Sequence, residues 1–228
     1  MNKLYTAVGR YQLNGSKEHR YPSVIVNKRE HLLDVQEMML WSLLNWRIVS
    51  LDELTELYNS KERGTGFHAQ RTVEDCLCRL VQRGLVAEGV GISGEDALYE
   101  LLAELYIIPI SENPFLRIAS FLKLTVIQGV PFPVAKSVFC RDRRNKNEKR
   151  VMHIANQAIL STAEIIKCAD IGKSDFCCEE ELLDTLYGDL YTTSENIAME
   201  TRTLPECRSV LTSVANLYLR RQIIFERI

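Results

Sequence analysis

The chain has 228 residues, 46% of them hydrophobic and 25% charged, the balance of a globular protein with a sizeable core in one or two domains. Its formal net charge of −2 argues against a protein that coats nucleic acid through bulk charge, although a sequence-specific binder needs only a local basic surface. No run approaches the roughly 20 apolar residues of a membrane span, the first ten residues lack the apolar core of a secretory signal, and an odd count of seven cysteines reads as reduced thiols. The expected compartment is the cytoplasm.

Residues 4–27 read as β structure. Runs at 4–8 and 11–13 precede Asn14-Gly15, a dipeptide that favours a tight hairpin turn. A return strand follows at 23–26, with Pro22 at its start, where a missing donor matters least. The hairpin is expected to pack against the helices that follow rather than to dock on a second subunit.

Residues 34–92 organise the rest. Val35, Met38, Met39, Leu43, Leu44 and Trp46 keep helical spacing, and a break at Ile48-Val49 leads to Ser50. Ser50 and Glu53 form a capping-box pattern that opens a short second helix bearing Leu51, Leu54, Leu57 and Tyr58. Gly64 and Gly66 break it from a third helix expected to start near Phe67 or His68 and to end at Gly84. On a helical wheel Val73, Leu77, Leu80 and Val81 form the buried side, with His68, Arg71, Asp75, Cys78 and Gln82 opposite and Arg79 on the flank. Residues 85–87 read as a strand, Gly89 and Gly91 as a tight turn, and Ile92 as the start of a return.

Three helices followed by a small hairpin resemble the winged helix-turn-helix of bacterial transcriptional regulators. The segment from Arg71 to Val86 looks like that family's recognition helix running into its first wing strand. The resemblance covers about a quarter of the chain and is one of pattern. It implies that the third helix enters the major groove of double-stranded DNA with the hairpin beside it. His68, Gln70, Arg71 and Thr72 would then meet base edges or phosphates, Lys61 and Arg63 phosphates, and Thr65 and Arg79 would flank them. Asp75, in the middle of that face, is unsuited to a phosphate. With Glu88 and the acidic overall balance it motivates the alternative, a winged-helix adaptor that binds another protein, since fold alone does not decide function.

Further along, residues 93–96 read as a helix start with carboxylates at its positive end. Leu98, Leu101, Leu102, Leu105 and Tyr106 form an apolar stripe expected to stay helical until Pro109. Two prolines within 109–114 mark a boundary between a domain at 1–109 and a helical domain at 110–228. In the second part, 115–128 is a strongly apolar helix candidate, and residues 141–150 carry six basic residues against two acidic, read as a solvated charge run. One long helix is expected over 151–169, closed by Gly172. Another runs over 176–190, capped by Ser174 or Asp175 and started by Glu179, Glu180 and Glu181. After an irregular stretch at 191–203, Pro205 opens a last helix reaching Ile224. This half is expected to dimerise or to sense a small-molecule effector of unknown identity.

Chemistry is sparse. Cys76-x-Cys78 is too closely spaced for a zinc knuckle. Cys177-Cys178 stands at a helix start that could lower a thiol pKa, but buried or inert thiols are the simpler reading. The four histidines, His19, His31, His68 and His153, form no ligand motif, and no catalytic signature is present. The Gly89-x-Gly91-x-x-Gly94 string lacks the strand–helix alternation of a dinucleotide fold. The sequence therefore predicts a mainly helical α+β protein: an N-terminal winged helix with an added β hairpin, then an all-helical domain. The expected function is that of a homodimeric DNA-binding regulator without catalytic residues, cofactor, metal or membrane contact.

Overall fold

A computed structural model of the chain describes residues 1–15, 20–65, 70–110, 144–189 and 191–227. The fold is mixed α/β, with helices packed around small antiparallel sheets. Strand β1 (Asn2–Ala7) begins the chain, and β2 (Arg10–Gly15), β3 (Arg20–Val26) and β4 (Arg29–Leu32) form a meander. Helices α1 (Val35–Leu44), α2 (Leu51–Thr65) and α3 (Val73–Gln82) follow, then strand β5 (Val86–Gly91), helix α4 (Gly94–Leu102) and strand β6 (Tyr106–Pro109). The second half supplies α5 (Lys146–Ala155), β7 (Leu160–Ser161), α6 (Thr162–Ile171), α7 (Glu179–Tyr187), α8 (Ser194–Thr201), α9 (Cys207–Leu219) and β8 (Ile223–Glu226).

These elements make one unit twice. In the first, β1 is the central strand: Tyr5 pairs with Glu88 of β5 on one side and exchanges both backbone hydrogen bonds with Val49, between α1 and α2, on the other (2.9 and 3.1 Å). In the second, β6 is central, and Ile107 pairs with Leu160 of β7 and with Phe225 of β8. Among the described residues each unit thus runs central strand, helix, a short strand or single bridge, helix, final helix, closing strand, with the β2–β4 meander added in the first.

The local chemistry repeats with the topology. Asp34 and Glu37 close a capping box on α1, and Asn145 and Glu148, 111 residues later, close one on α5. Ser50 and Glu53 start α2, and Ser161 and Glu164, again 111 residues on, start α6. The third helices end alike. Gly84 N–H donates to Val81 and Leu85 N–H to Leu80, while Arg221 N–H donates to Tyr218 and Gln222 N–H to Leu217. Both turns pass through a left-handed residue, Gly84 at φ 72° and Arg221 at φ 58°. These counterparts lie 137 residues apart, because α7 and α8 are inserted between α6 and α9.

Several expectations are corrected. The second half is not all-helical: β7 and β8 complete the β6 sheet. The helix expected over 151–169 is two helices with β7 between, because Ser161 caps α6 while the apolar residues keep facing one core. The last helix ends at Leu219, and Ile224 belongs to β8. Residues 194–201, expected to be irregular, form α8 under a Thr193 cap, and α7 is capped by Cys178. The stripe after Ser93 is helical only to Leu102 before the chain extends into β6. Asn14 and Gly15 lie inside β2, where the Asn14 amide bonds Ser23 and Glu30 across the sheet. The tight turn of the meander is Asn27-Lys28, at φ 47° and 59°. The expected helix at 115–128 and residues 141–143 of the basic run fall outside the described residues, while the rest of that run, expected as a solvated loop, caps and begins α5 at Asn145 and Lys146.

No wing turn forms at Gly89 and Gly91. Both lie within β5, whose antiparallel partner is β1. A Cβ on Gly89 would stand 2.3 Å from the Ala97 carbonyl oxygen, and one on Gly91 2.2 Å from the Ala97 nitrogen, so these glycines let α4 lie directly on the strand.

The two units share one hydrophobic core. Tyr218 of α9 is buried inside the first unit, where its hydroxyl accepts from the Thr6 hydroxyl (3.0 Å) and the Trp46 amide (2.9 Å). Gly9 N–H donates to Phe225 O at 2.8 Å. Strand β6, on the first side of the sequence-based boundary, is thus the middle of the second unit's sheet. Among the described residues no helix is long and apolar enough to cross a membrane.

Candidate interaction surface on helix α3

Helix α3 begins at Val73, later than its sequence suggests, because Thr72 takes the cap: its hydroxyl accepts from the Asp75 amide (3.1 Å) and donates to the Asp75 carboxylate (2.8 Å). Helix α2 correspondingly runs through Gly64 to Thr65. Gln70, Arg71 and Thr72 therefore stand in the connection before α3, not on its first turn. His68 lies outside the described residues, as does the side chain of Thr65.

The face expected to be basic is organised around a carboxylate. Glu37 of α1 is nearly fully buried, with 3% of its side chain exposed, and three guanidinium groups surround it. Arg83 lies at 2.8 Å, Arg79 at 3.5 Å and Arg71 at 3.8 Å. Arg83 also donates to Leu32 O (2.6 Å), and Arg71 forms an ion pair with Asp34. The Gln36 side chain clasps the backbone of Arg71, donating to its carbonyl at 2.7 Å. Burial works against ionisation of Asp34, but the Glu37 amide and the Arg71 guanidinium hold its carboxyl below the usual range. The second unit has the same core device in simpler form: Glu148, 1% exposed, faces Arg220 at 3.1 Å.

What α3 leaves to solvent is Glu74, Asp75, Cys78, Arg79 and Gln82. Beside it a groove of about 270 Å³ runs between α3, the start of α2 and β1, with Leu51, Leu77 and Val81 in its wall and Glu74 and Glu88 at its edge. Glu88 accepts from Lys3 (3.1 Å) and from the Tyr5 hydroxyl (3.0 Å). Burial and that carboxylate push the Tyr5 phenol up to about 12. Lys61 and Arg63 are exposed towards the end of α2, with Arg63 Nε donating to Asn59 O at 3.2 Å, and Gln70 is exposed. Of the predicted site, then, Arg71 and Arg79 are brought together on Glu37, and Lys61 and Arg63 stand on the other helix.

Sequence reasoning missed Glu37 as the hub. Its signal was present as the Asp34-x-x-Glu37 cap, but the arginines that meet it come from 34 to 46 residues further on. Four of the described thiols are shifted away from the reactive thiolate form, Cys207 by burial among them. Burial raises Cys76 to about 11 and Cys168 to about 12, and the hydrogen bond from Cys177 to Glu181 raises that thiol as well. Among the described residues no three metal-ligating side chains come together. No family model, no curated protein and no solved structure matches this chain.

Proposed function

We propose that the chain is a binding adaptor built from two winged-helix-derived units, and that the outer face of α3 with its adjoining groove receives a protein segment. The observation that carries this reading is the convergence of Arg71, Arg79 and Arg83 on Glu37 and Asp34, which leaves Glu74 and Asp75 at the head of the exposed helix face. Carboxylates in the first turn repel phosphates, and guanidinium groups already paired with acids have little charge left for a nucleic-acid backbone. The groove suits an apolar side chain next to a basic one, since its wall is Leu51, Leu77 and Val81 and its edge carries Glu74 beside the Lys3–Glu88 pair. The second reading, the DNA-binding regulator, is favoured by exposed Lys61, Arg63 and Gln70 near the α2–α3 connection.

Display selection from a library of basic–apolar peptides tests the first reading, with binding expected to fall about tenfold in a Glu74→Lys/Asp75→Lys variant as charge complementarity is reversed. A parallel selection of genomic fragments tests the second. A sequence-specific DNA complex, with log affinity falling linearly against log salt and weakened by Arg71→Ala, would replace the adaptor with the regulator. The adaptor also needs no second copy, because two units are already joined in one chain. Light scattering should give the 26.2 kDa monomer.

A further inference from the structure

A cavity of about 540 Å³ opens where the first unit meets the last strand of the second, within the size range of small-ligand sites. Its walls are Tyr11, Met38, Trp41, Trp46 and Ile224, and Arg10 stands exposed on its lining. Both tryptophans of the chain are therefore in this one place.

Trp46 is the unusual member. It holds φ at 57°, a left-handed conformation that a bulky side chain rarely adopts and that clusters at ligand sites. Its indole N–H is buried and has no acceptor among the described residues, whereas the Trp41 N–H donates to Val8 O and Leu85 O. Tyr218 secures the turn by accepting from the Trp46 amide, and the Arg221 guanidinium lies 5.3 Å above the Trp46 ring. The second unit builds the same corner without any of this. There the counterparts of Trp41 and Trp46 are Met152 and Gln157, and Gln157 is not left-handed. The strained tryptophan is thus not a requirement of the repeated fold.

We propose that this cavity is a binding site for a small aromatic carboxylate. Aromatic and thioether walls take a flat ring. Arg10, exposed on the lining, and Arg221, over the Trp46 ring, supply positive charge, and among the described residues no carboxylate lines the cavity. The site is separate from the groove beside α3, so it stands or falls independently of the adaptor reading.

Titration of the full chain with 4-nitrobenzoate, read by tryptophan emission corrected against free tryptophan, reports on this cavity because no tryptophan lies elsewhere. Saturable quenching is expected, accompanied by a rise in the thermal unfolding midpoint. Neutral 4-nitrobenzamide should bind more weakly, and the trimethylphenylammonium cation weakest. Arg10→Gln, at an exposed position, should weaken the carboxylate about tenfold and leave the amide unchanged. Trp46→Phe, checked for folding by circular dichroism, should weaken both by shrinking the aromatic wall against which the ring lies. Absence of saturable quenching by the carboxylate, equal binding of the cation, or an unchanged carboxylate affinity in Arg10→Gln would each overturn the assignment.

Discussion

The first and second units are built on one plan and differ in what each adds to it. Each hides a glutamate from its first helix cap in the core and answers it with an arginine just after its third helix, Arg83 in one and Arg220 in the other. Features common to both are what the fold requires, and features of one alone are where function can reside. By that criterion the first unit adds two further arginines on Glu37, an exposed face on α3 and the strained Trp46, and the second adds the inserted helices α7 and α8. Helix α9, the counterpart of α3, is instead largely buried against α5, α6 and α4 and inserts Tyr218 into its neighbour.

Removing the shared arginine should give the largest and most unequal effect. Arg220→Ala leaves Glu148 as a buried charge without its guanidinium and should cost about 3–5 kcal/mol in urea unfolding. Arg83→Ala leaves Arg71 and Arg79 near Glu37, and the loss should be smaller, about 1–2 kcal/mol. Equal losses would show that the extra arginines do not share the load. Next comes Gly89→Ala, which drives a methyl group into the backbone of α4 and should cost about 3 kcal/mol. The smallest test compares Ser50→Ala with Ser161→Ala. Both remove an N-cap, so each should lose about 1 kcal/mol, and a much larger loss for one would mean the two caps are not equivalent.

Local signals were legible in the sequence, and long-range ones were not. Ser50–Glu53 announced α2, and Ser93 announced α4, because a cap is written within four residues. Ser161–Glu164 is the same signal, yet apolar periodicity running through Ile159 and Leu160 disguised a helix–strand–helix as one helix. The repeated plan was hidden because so few side chains are shared. Across 34–58 and 145–169 only Glu37/Glu148, Asn45/Asn156, Ile48/Ile159, Ser50/Ser161 and Glu53/Glu164 are identical, 5 of 25 positions, and most of those shape helix ends. Gly89 and Gly91 read as a turn because glycine is the commonest turn residue, while their real role depends on a helix packed over them. The basic surface of α3 was overestimated for a similar reason. A helical wheel shows which way Arg79 points but cannot show that Glu37 waits there from another helix.

The buried hydroxyl of Tyr218 sets an order on how the molecule is made. It holds Thr6 and the amide of Trp46, and its ring stacks on Phe225 at 4.3 Å, so β1 cannot complete its surroundings until α9, about 200 residues later in synthesis, has followed. Vectorial synthesis of these residues therefore needs a docking event between the units rather than two modules finished in turn, and a nascent chain stalled before residue 218 should remain open to protease in the first unit.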